Sequence, residues 1–399
     1  MNLILFDCHK SHENLLPLTF TRPVADLRVG ILTIREKWEK LLQQKSFSLT
    51  EAYLSEKFPP SIDSSPALYI NGAVLPDEKL VSTIQKLGAL QSLYANGNLI
   101  AFKTEKHHLN YENFEAIAKG FAPIEYTESF LRINHTWDLF KLNGDALKAD
   151  FELVTKGKKS QPLSDSNKLI GPADSLFIEE GAKVEASVLN THTGVIYIGK
   201  NAEVMENCAI RGPFALCEHA VVKMSAKIYG ATTLGPGCKV GGELNNVIFQ
   251  ANSNKAHDGF LGNSIIGEWC NLGADTNNSN LKNNYSPVEV FSYREGKAVE
   301  TELTFCGLVM GDHSKTGINT MFNTGAVMGV SANVFGSDFP PKFIPSFSWG
   351  GSRWLRTFAL DKSLEVAERM MERRNIKLDE ADIKILTTIF EREAKYRKD

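Results

Sequence analysis

No two of the six cysteines stand at CxxC spacing: Cys8, Cys208, Cys217, Cys238, Cys270 and Cys306 are scattered along the chain. Redox and zinc motifs of that type are therefore excluded, and the expectation is buried, reduced thiols in a cytoplasmic protein. No apolar run approaches the ~20 residues that span a bilayer. The first eight residues carry neither the charged n-region nor the cleavage site of a signal peptide. No strong charge of one sign is present: 44 basic against 47 acidic residues leave a net charge of −3. Neither nucleic acid nor an anionic membrane is expected as the main partner. The 43% hydrophobic and 23% charged content fits a soluble globular chain, and 399 residues predict about two or three domains.

What is present in abundance is a period of six. Ile198, Val204, Ile210, Leu216, Val222, Ile228, Leu234 and Val240 follow one another at that spacing. Four positions after most of them stands a small residue: Ala202, Cys208, Ala220, Ala226, Thr232, Cys238. A helix has a period of 3.6 and a strand a period of 2, so neither accounts for a strict six. A coil with three flat sides does, with aliphatic side chains pointing into a triangular core and small residues at the corners. The pattern starts near Ile178 and Val184 in another phase. It resumes at Phe260, Ile266 and Leu272, and again from Met310 through Thr316, Phe322 and Met328 to Val334. Residues 283–300 break it and read as a polar loop thrown out from one coil, of a kind that often serves binding.

Residues 1–155 read as an α/β domain. Strands are expected at 3–6, 67–70 and 99–102, and helices at 32–42 and 78–87. The alternation suggests βαβ units, a largely parallel sheet, and a ligand site at the carboxyl ends of its strands. Residues 156–170 read as a polar linker, 171–350 as the repeat domain, and 351–399 as two charged amphipathic helices, at 364–373 and 380–395, that cap or flank the coil.

Four stretches carry chemistry. The repeat region holds Lys255-Ala256-His257-Asp258-Gly259-Phe260-Leu261-Gly262, then Ile266-Gly267 and Asn271-Leu272-Gly273-Ala274. The amino-terminal region holds Leu16-Pro17-Leu18-Thr19-Phe20-Thr21-Arg22-Pro23, and later Leu68-Tyr69-Ile70-Asn71-Gly72-Ala73-Val74-Leu75-Pro76. A further segment runs from Trp137-Asp138-Leu139 through Asn143 to Asp150. On these motifs and their order the chain resembles bacterial bifunctional enzymes that make UDP-N-acetylglucosamine, in a divergent branch of that family. Such enzymes join a Rossmann-like sugar-1-phosphate nucleotidyltransferase domain to a C-terminal left-handed parallel β-helix acetyltransferase.

The resemblance implies His257 as the general base that takes a proton from an amine acceptor, a task suited to imidazole near neutral pH. It implies Lys255 and Asn271 as substrate-binding residues and Ala274 as a wall for acetyl-CoA. Phe260 stands where the family has tyrosine, and Asp275 where it has a second glycine. In the amino-terminal half the family's glycine-rich phosphate loop has no counterpart, because residues 9–14 contain no glycine. Arg22 and Arg28 are then the expected triphosphate binders, with Lys10 as a weaker one, since guanidinium groups hold phosphate bidentately. The alternative is that both arginines are surface residues or pair with Asp26 and Glu36. Asn71 and Gly72 stand where the family has Gly-Asp and are expected to line the substrate pocket. Mg²⁺ is expected as a cofactor, with Asp77 and Asn143 as its ligands and Asp7 and Asp138 as other candidates.

The expected reaction joins UTP to N-acetylglucosamine 1-phosphate with release of pyrophosphate. N-acetylation of glucosamine 1-phosphate by acetyl-CoA would precede it, as part of cell-envelope synthesis. A dTTP and glucose 1-phosphate pair is the alternative within the same class. Outside it stands a non-catalytic, trimeric scaffold that binds a nucleotide sugar. A homotrimer built through the flat faces of the β-helix is expected.

Overall fold

The six-residue period winds into three ladders of short parallel strands around one hydrophobic interior. A computed structural model of the chain describes residues 1–61, 66–105 and 109–397. One ladder stacks Leu176–Ile178, Ile196–Ile198, Phe214–Leu216 and Thr232–Leu234. It continues through Glu243–Ala251, Phe260–Glu268, Val309–Met310 and Val327–Met328 to Phe343–Ile344. A second climbs from Lys168–Ile170 through Val188–Asn190, Ala209–Arg211 and Lys227–Tyr229 into Glu243–Ala251. The third stacks Lys183–Val184, Glu203–Val204, Val221–Val222, Lys239–Val240 and Asn254–Lys255. The architecture is a left-handed parallel β-helix.

Parallel register sets like over like: Ile198 over Leu216, Leu216 over Leu234, Leu234 over Phe249. All four are fully buried, and each such side chain contributes ~1.5–3 kcal/mol on leaving water. Ala202, Cys208, Ala220, Ala226 and Cys238 are buried beside them, as the small-residue positions predict. All six cysteines are unbridged. At one corner, successive coils place Asn201, His219, Asn252, Trp269, His313 and Ser331 in left-handed backbone, with φ of 53–60°. Asparagine tolerates that conformation well; a bulky residue adopts it only when its surroundings impose it.

The amino-terminal sheet has the strand order Ser46–Leu49, Asn2–Phe6, Ala67–Asn71, Asn98–Thr104, Gln91–Ala95, Ala122–Glu125. It is mixed, which corrects the expectation of a largely parallel sheet. Asn96 and Gly97, both at positive φ, close a tight antiparallel hairpin between Gln91–Ala95 and Asn98–Thr104. Ile34–Leu42 is helical as expected and starts with a capping box formed by Thr33 and Glu36. Thr136–Thr155 forms a 20-residue helix that carries Asp138, Asn143 and Asp150.

This helix and the segment 21–31 dock the α/β domain onto the side of the β-helix. Asn143 accepts from Gly30 N at 2.7 Å and donates to Ala231 O at 2.6 Å. Asp150 pairs with the buried Lys37 and accepts from Ile31 N and Leu32 N. Arg28 N donates to Gln250 Oε1 at 2.6 Å, and Gln250 Nε2 returns a bond to Arg28 O at 3.2 Å. Arg22 reaches Glu268 at 2.9 Å and bonds Asp312, which also accepts from Thr21 Oγ1 at 2.7 Å. Burial alone would lower the Arg22 pKa, but the carboxylates of Asp312 and Glu268 outweigh it and hold it above the ordinary arginine value.

The excursion expected as a free loop contains a hairpin, Glu289–Ser292 with Lys297–Glu300. Phe291 stacks on Phe343 at 3.6 Å, and Tyr293 meets Phe20 of the α/β domain edge-on at 5.3 Å. It is therefore a strut between domains. The terminal helices Leu360–Glu372 and Glu380–Arg392 fold back along the molecule. The second pairs with the α/β domain through Lys57–Asp382, Glu56–Lys384 and Glu51–Arg392.

Two stability measurements follow from these contacts. Arg22→Ala leaves the buried carboxylate of Asp312 and the partly exposed one of Glu268 without their cation, so it should cost about 3 kcal/mol in urea unfolding. A cost below ~0.5 kcal/mol, the level of a surface substitution, would contradict the interdomain role. Glu393 is 3% exposed beside Tyr293. Burial raises its carboxyl from 4.5 to about 7, against the pull of Lys395, Arg397 and Arg392. The folded state thus holds this proton more tightly than the unfolded chain. The stability it contributes is fully present below about pH 4.5 and is lost as pH rises through about 7. Urea midpoints at pH 5 and pH 8 should differ less in Glu393→Gln than in the parent; an unchanged difference would refute the assignment.

Candidate functional site

On the β-helix, the chain leaves the third ladder at Asn254–Lys255 and turns a corner at residues 256–259 before entering Phe260–Glu268. Gly259 makes that turn at φ +119°, where an added Cβ would lie 2.3 Å from Thr276 O. The corner leaves His257 exposed at the edge of a groove of about 540 Å³, with Lys223, Gly241, Gly242, Ala274 and Asp275 around it. His257 and Ala274 thus line the same groove.

Lys255 and Asn271 are not part of that grouping. Lys255 takes the inward place that Val240 takes one coil below, and is 1% exposed. Its ammonium donates to His257 O at 2.9 Å and Gly241 O at 3.4 Å. Burial pulls it down to about 8, against Asp258 and Asp275. It fastens the corner from inside, so the expectation that it contacts substrate is corrected. Asn271 lines a neighbouring cleft against the helix Leu360–Glu372 and not the groove at His257. His313 has a buried Nδ1 without a partner and stacks near Trp269. Burial lowers its pKa to about 3.

In the α/β domain the first strand ends at Asp7. This carboxylate accepts from Val24 N at 2.9 Å and Thr50 Oγ1 at 2.6 Å, and lies 2.9 Å from His12 Nδ1. It ties the strand end to the loop above it. The six residues without glycine form the short helix His9–Asn14. Arg22 and Arg28, the expected phosphate binders, face the domain interface: Arg22 meets Glu268 and Asp312 with its two terminal nitrogens while its Nε has no partner, and Arg28 donates to Gln250 O and Ile31 O. Neither the surface position nor the pairing with Asp26 describes them; Arg28 keeps only a 3.8 Å approach to Glu36.

Asn71 donates to Leu99 O at 2.9 Å and accepts from Ala73 N at 2.9 Å, so its amide closes a turn. Gly72 is packed under Ala25, 3.0 Å from where a Cβ would stand. The expected Mg²⁺ ligands do not fit the ion. Asp77 caps the helix Glu78–Gln85 by accepting from Leu80 N, Asn143 is spent on the interface, and Asp138 accepts from Asn134 N and His135 N. Among the described residues no group of three or more His, Cys, Asp or Glu side chains is arranged to hold a metal.

The residue missed by sequence reasoning is Arg132. It sits in Leu131–Arg132, a short strand paired antiparallel to Val74–Leu75. Arg132 donates to Ser11 Oγ at 2.9 Å, and its Nε has no partner. Burial lowers its pKa, with Cys8 and Glu115 opposing. It lines a cavity of about 390 Å³ with Asn96, Asn98, Asn134, Asp138 and Lys141. The charge of Lys10 acts on His135, which stacks on Trp137. Lys10 is exposed just past the end of the first strand, next in sequence to Ser11, which Arg132 holds. A cationic, partly desolvated pocket beyond the carboxyl ends of parallel strands can hold and neutralise phosphate. The only sequence signal for it was a lone arginine in an otherwise unremarked segment.

A family model described as sugar nucleotidyl transferase matches residues 3–159. The chain is 35% identical over 197 residues to the bifunctional protein GlmU of Methanococcus aeolicus, a match covering 49% of this chain and 41% of that protein. It is 38% identical over 87 residues to the bifunctional protein GlmU of Methanocaldococcus jannaschii, covering 22% and 21%. The chain therefore spans less than half the length of these curated relatives. A solved structure of the polysialic acid O-acetyltransferase OatWY aligns over 49% of this chain and 82% of its own, at 11% identity and a TM-score of 0.23. Residues 3–159 match the sugar nucleotidyl transferase family, and about half of the chain is similar to part of the bifunctional protein GlmU.

Proposed function

We propose that this chain is a sugar-1-phosphate nucleotidyltransferase that also transfers acetyl groups. The observation that carries the reading is the sugar nucleotidyl transferase match over residues 3–159, which enclose the cationic cavity at Arg132. UTP with N-acetylglucosamine 1-phosphate is the favoured pair, and dTTP with glucose 1-phosphate the second. A phosphate oxygen of the sugar attacks the α-phosphorus in line and pyrophosphate leaves. Arg132, with Lys141 and Lys10 in support, neutralises charge that builds on the phosphoryl oxygens.

In the second reaction the amine of glucosamine 1-phosphate attacks the thioester carbonyl of acetyl-CoA. His257 accepts the amine proton, the C–S bond breaks, and CoA leaves as the thiolate. Lys255 positions His257 by holding its carbonyl. The displacement of Arg22 and Arg28 from any phosphate favours one other reading, a scaffold that binds nucleotide sugars without turning them over. The reading places the protein in the cytoplasm, where its unbridged cysteines stay reduced. It also includes a homotrimer, for which the exposed Met224, Tyr229 and Ile318 offer apolar surface.

Pyrophosphate release from UTP should depend on the sugar phosphate, and Arg132→Ala should lower kcat/KM about 100-fold. His257→Ala should lower thiol release from acetyl-CoA at least ~100-fold while sparing pyrophosphate release. If neither activity appears but nucleotide sugars still raise the melting temperature, the scaffold reading replaces this one. Light scattering should give three times 44.3 kDa; a monomer mass would remove the trimer.

A further inference from the structure

The helix Leu360–Glu372 lies along the third ladder and delivers Arg373 and Arg374 to it. Between helix and coils is a cleft of about 330 Å³, lined by Lys239, Asn254, Asn271, Met370, Arg373 and Arg374. No carboxylate lines it. Arg374 is fixed by two neutral acceptors, Gly237 O and Asn254 Oδ1, the second at 3.1 Å. Asn254 Nδ2 in turn approaches Asn271 Oδ1 at 3.5 Å, which leaves the Asn271 amide donors unused. Among the described residues, Lys239, Arg373 and Arg374 take part in no ion pair.

Three cations gathered in one recess without a counter-charge repel one another. Burial, and then the charge of Arg373, lower the Arg374 pKa, with only Cys238 opposing. Ala256 lines both this cleft and the His257 groove, one residue from the imidazole. Successive Cα atoms are 3.8 Å apart, so a ligand gripped here by an anionic end reaches His257 across a short span.

We propose that this cleft is a phosphate subsite that holds the phosphoryl group of the molecule acted on at His257. The identity of that molecule rests on the acetyl-transfer reading; the affinity for phosphate does not. Two sources share the chemistry: the phosphate of an amino-sugar phosphate and the phosphates of CoA. The short span past Ala256 favours the sugar phosphate.

The test titrates inorganic pyrophosphate into the full chain by calorimetry at constant ionic strength. An Arg132→Ala background removes the contribution of the other domain. Binding should weaken at least tenfold in Lys239→Ala/Arg373→Ala, whose side chains are exposed, and be kept in Lys239→Arg/Arg373→Lys and in His257→Ala. Absence of binding, or equal affinity in the alanine pair, would overturn the proposal. Competition separates the sources. Displacement by glucosamine 1-phosphate but not glucosamine assigns the acceptor, and displacement by CoA assigns the donor. Displacement by neither overturns the link to His257. Intact pyrophosphate binding without any thiol release would sink the acetyl-transfer reading and leave the anion site standing.

Discussion

A coil of this β-helix cannot bury its own inward side chains; only the coils above and below it can. Everything else in the molecule is arranged around that constraint. Because Leu216 needs Ile198 beneath it and Leu234 above it, the strands must be parallel and in register. Because they are in register, corners also stack, and a corner such as residues 256–259 is held at a set height and orientation. An exposed histidine on that corner gains a defined position without belonging to any long helix or strand. The lysine below it shows how strongly the position is specified. An ammonium takes an aliphatic place in the stack and is tolerated because two carbonyl oxygens receive it.

The same stack offers the α/β domain a rigid wall. Arg22, Arg28, Lys37, Asn143 and Asp150 are buried there, and each makes polar contacts within the protein. Such buried polar sets cost more when broken than they gain when formed, so they act chiefly to fix how the two domains meet. The consequence for chemistry is a displaced centre of positive charge. Residues that look like phosphate ligands in sequence become struts, and Arg132, presented from a two-residue strand, is left facing an open cavity.

The β-helix was legible because its signal is repeated: a single six-residue step would mean little, but seven in succession exclude the competing periods. The helices with caps and the strand before Asp7 were legible for local reasons. The mixed sheet was not, because strand and helix alternation does not show that Asn96-Gly97 turns the chain straight back into an antiparallel hairpin. Arg22 was misassigned because an arginine that awaits an anion and one that is neutralised by distant carboxylates look alike in sequence. Its partners, Glu268 and Asp312, stand about 250 and 290 positions away. The excursion at 283–300 was polar enough to suggest solvent, yet Phe291 and Tyr293 within it are anchors.

Stacked-repeat folds ordinarily loosen from their free ends, since a terminal coil has one neighbour fewer. Here the far end is not free. The last helix returns to the first domain through the contacts of Glu51, Glu56 and Lys57, turning an open rod into a closed circuit. Peeling the final coils therefore means parting the carboxyl terminus from the amino-terminal fold at the same moment, and fraying becomes a shared, cooperative loss.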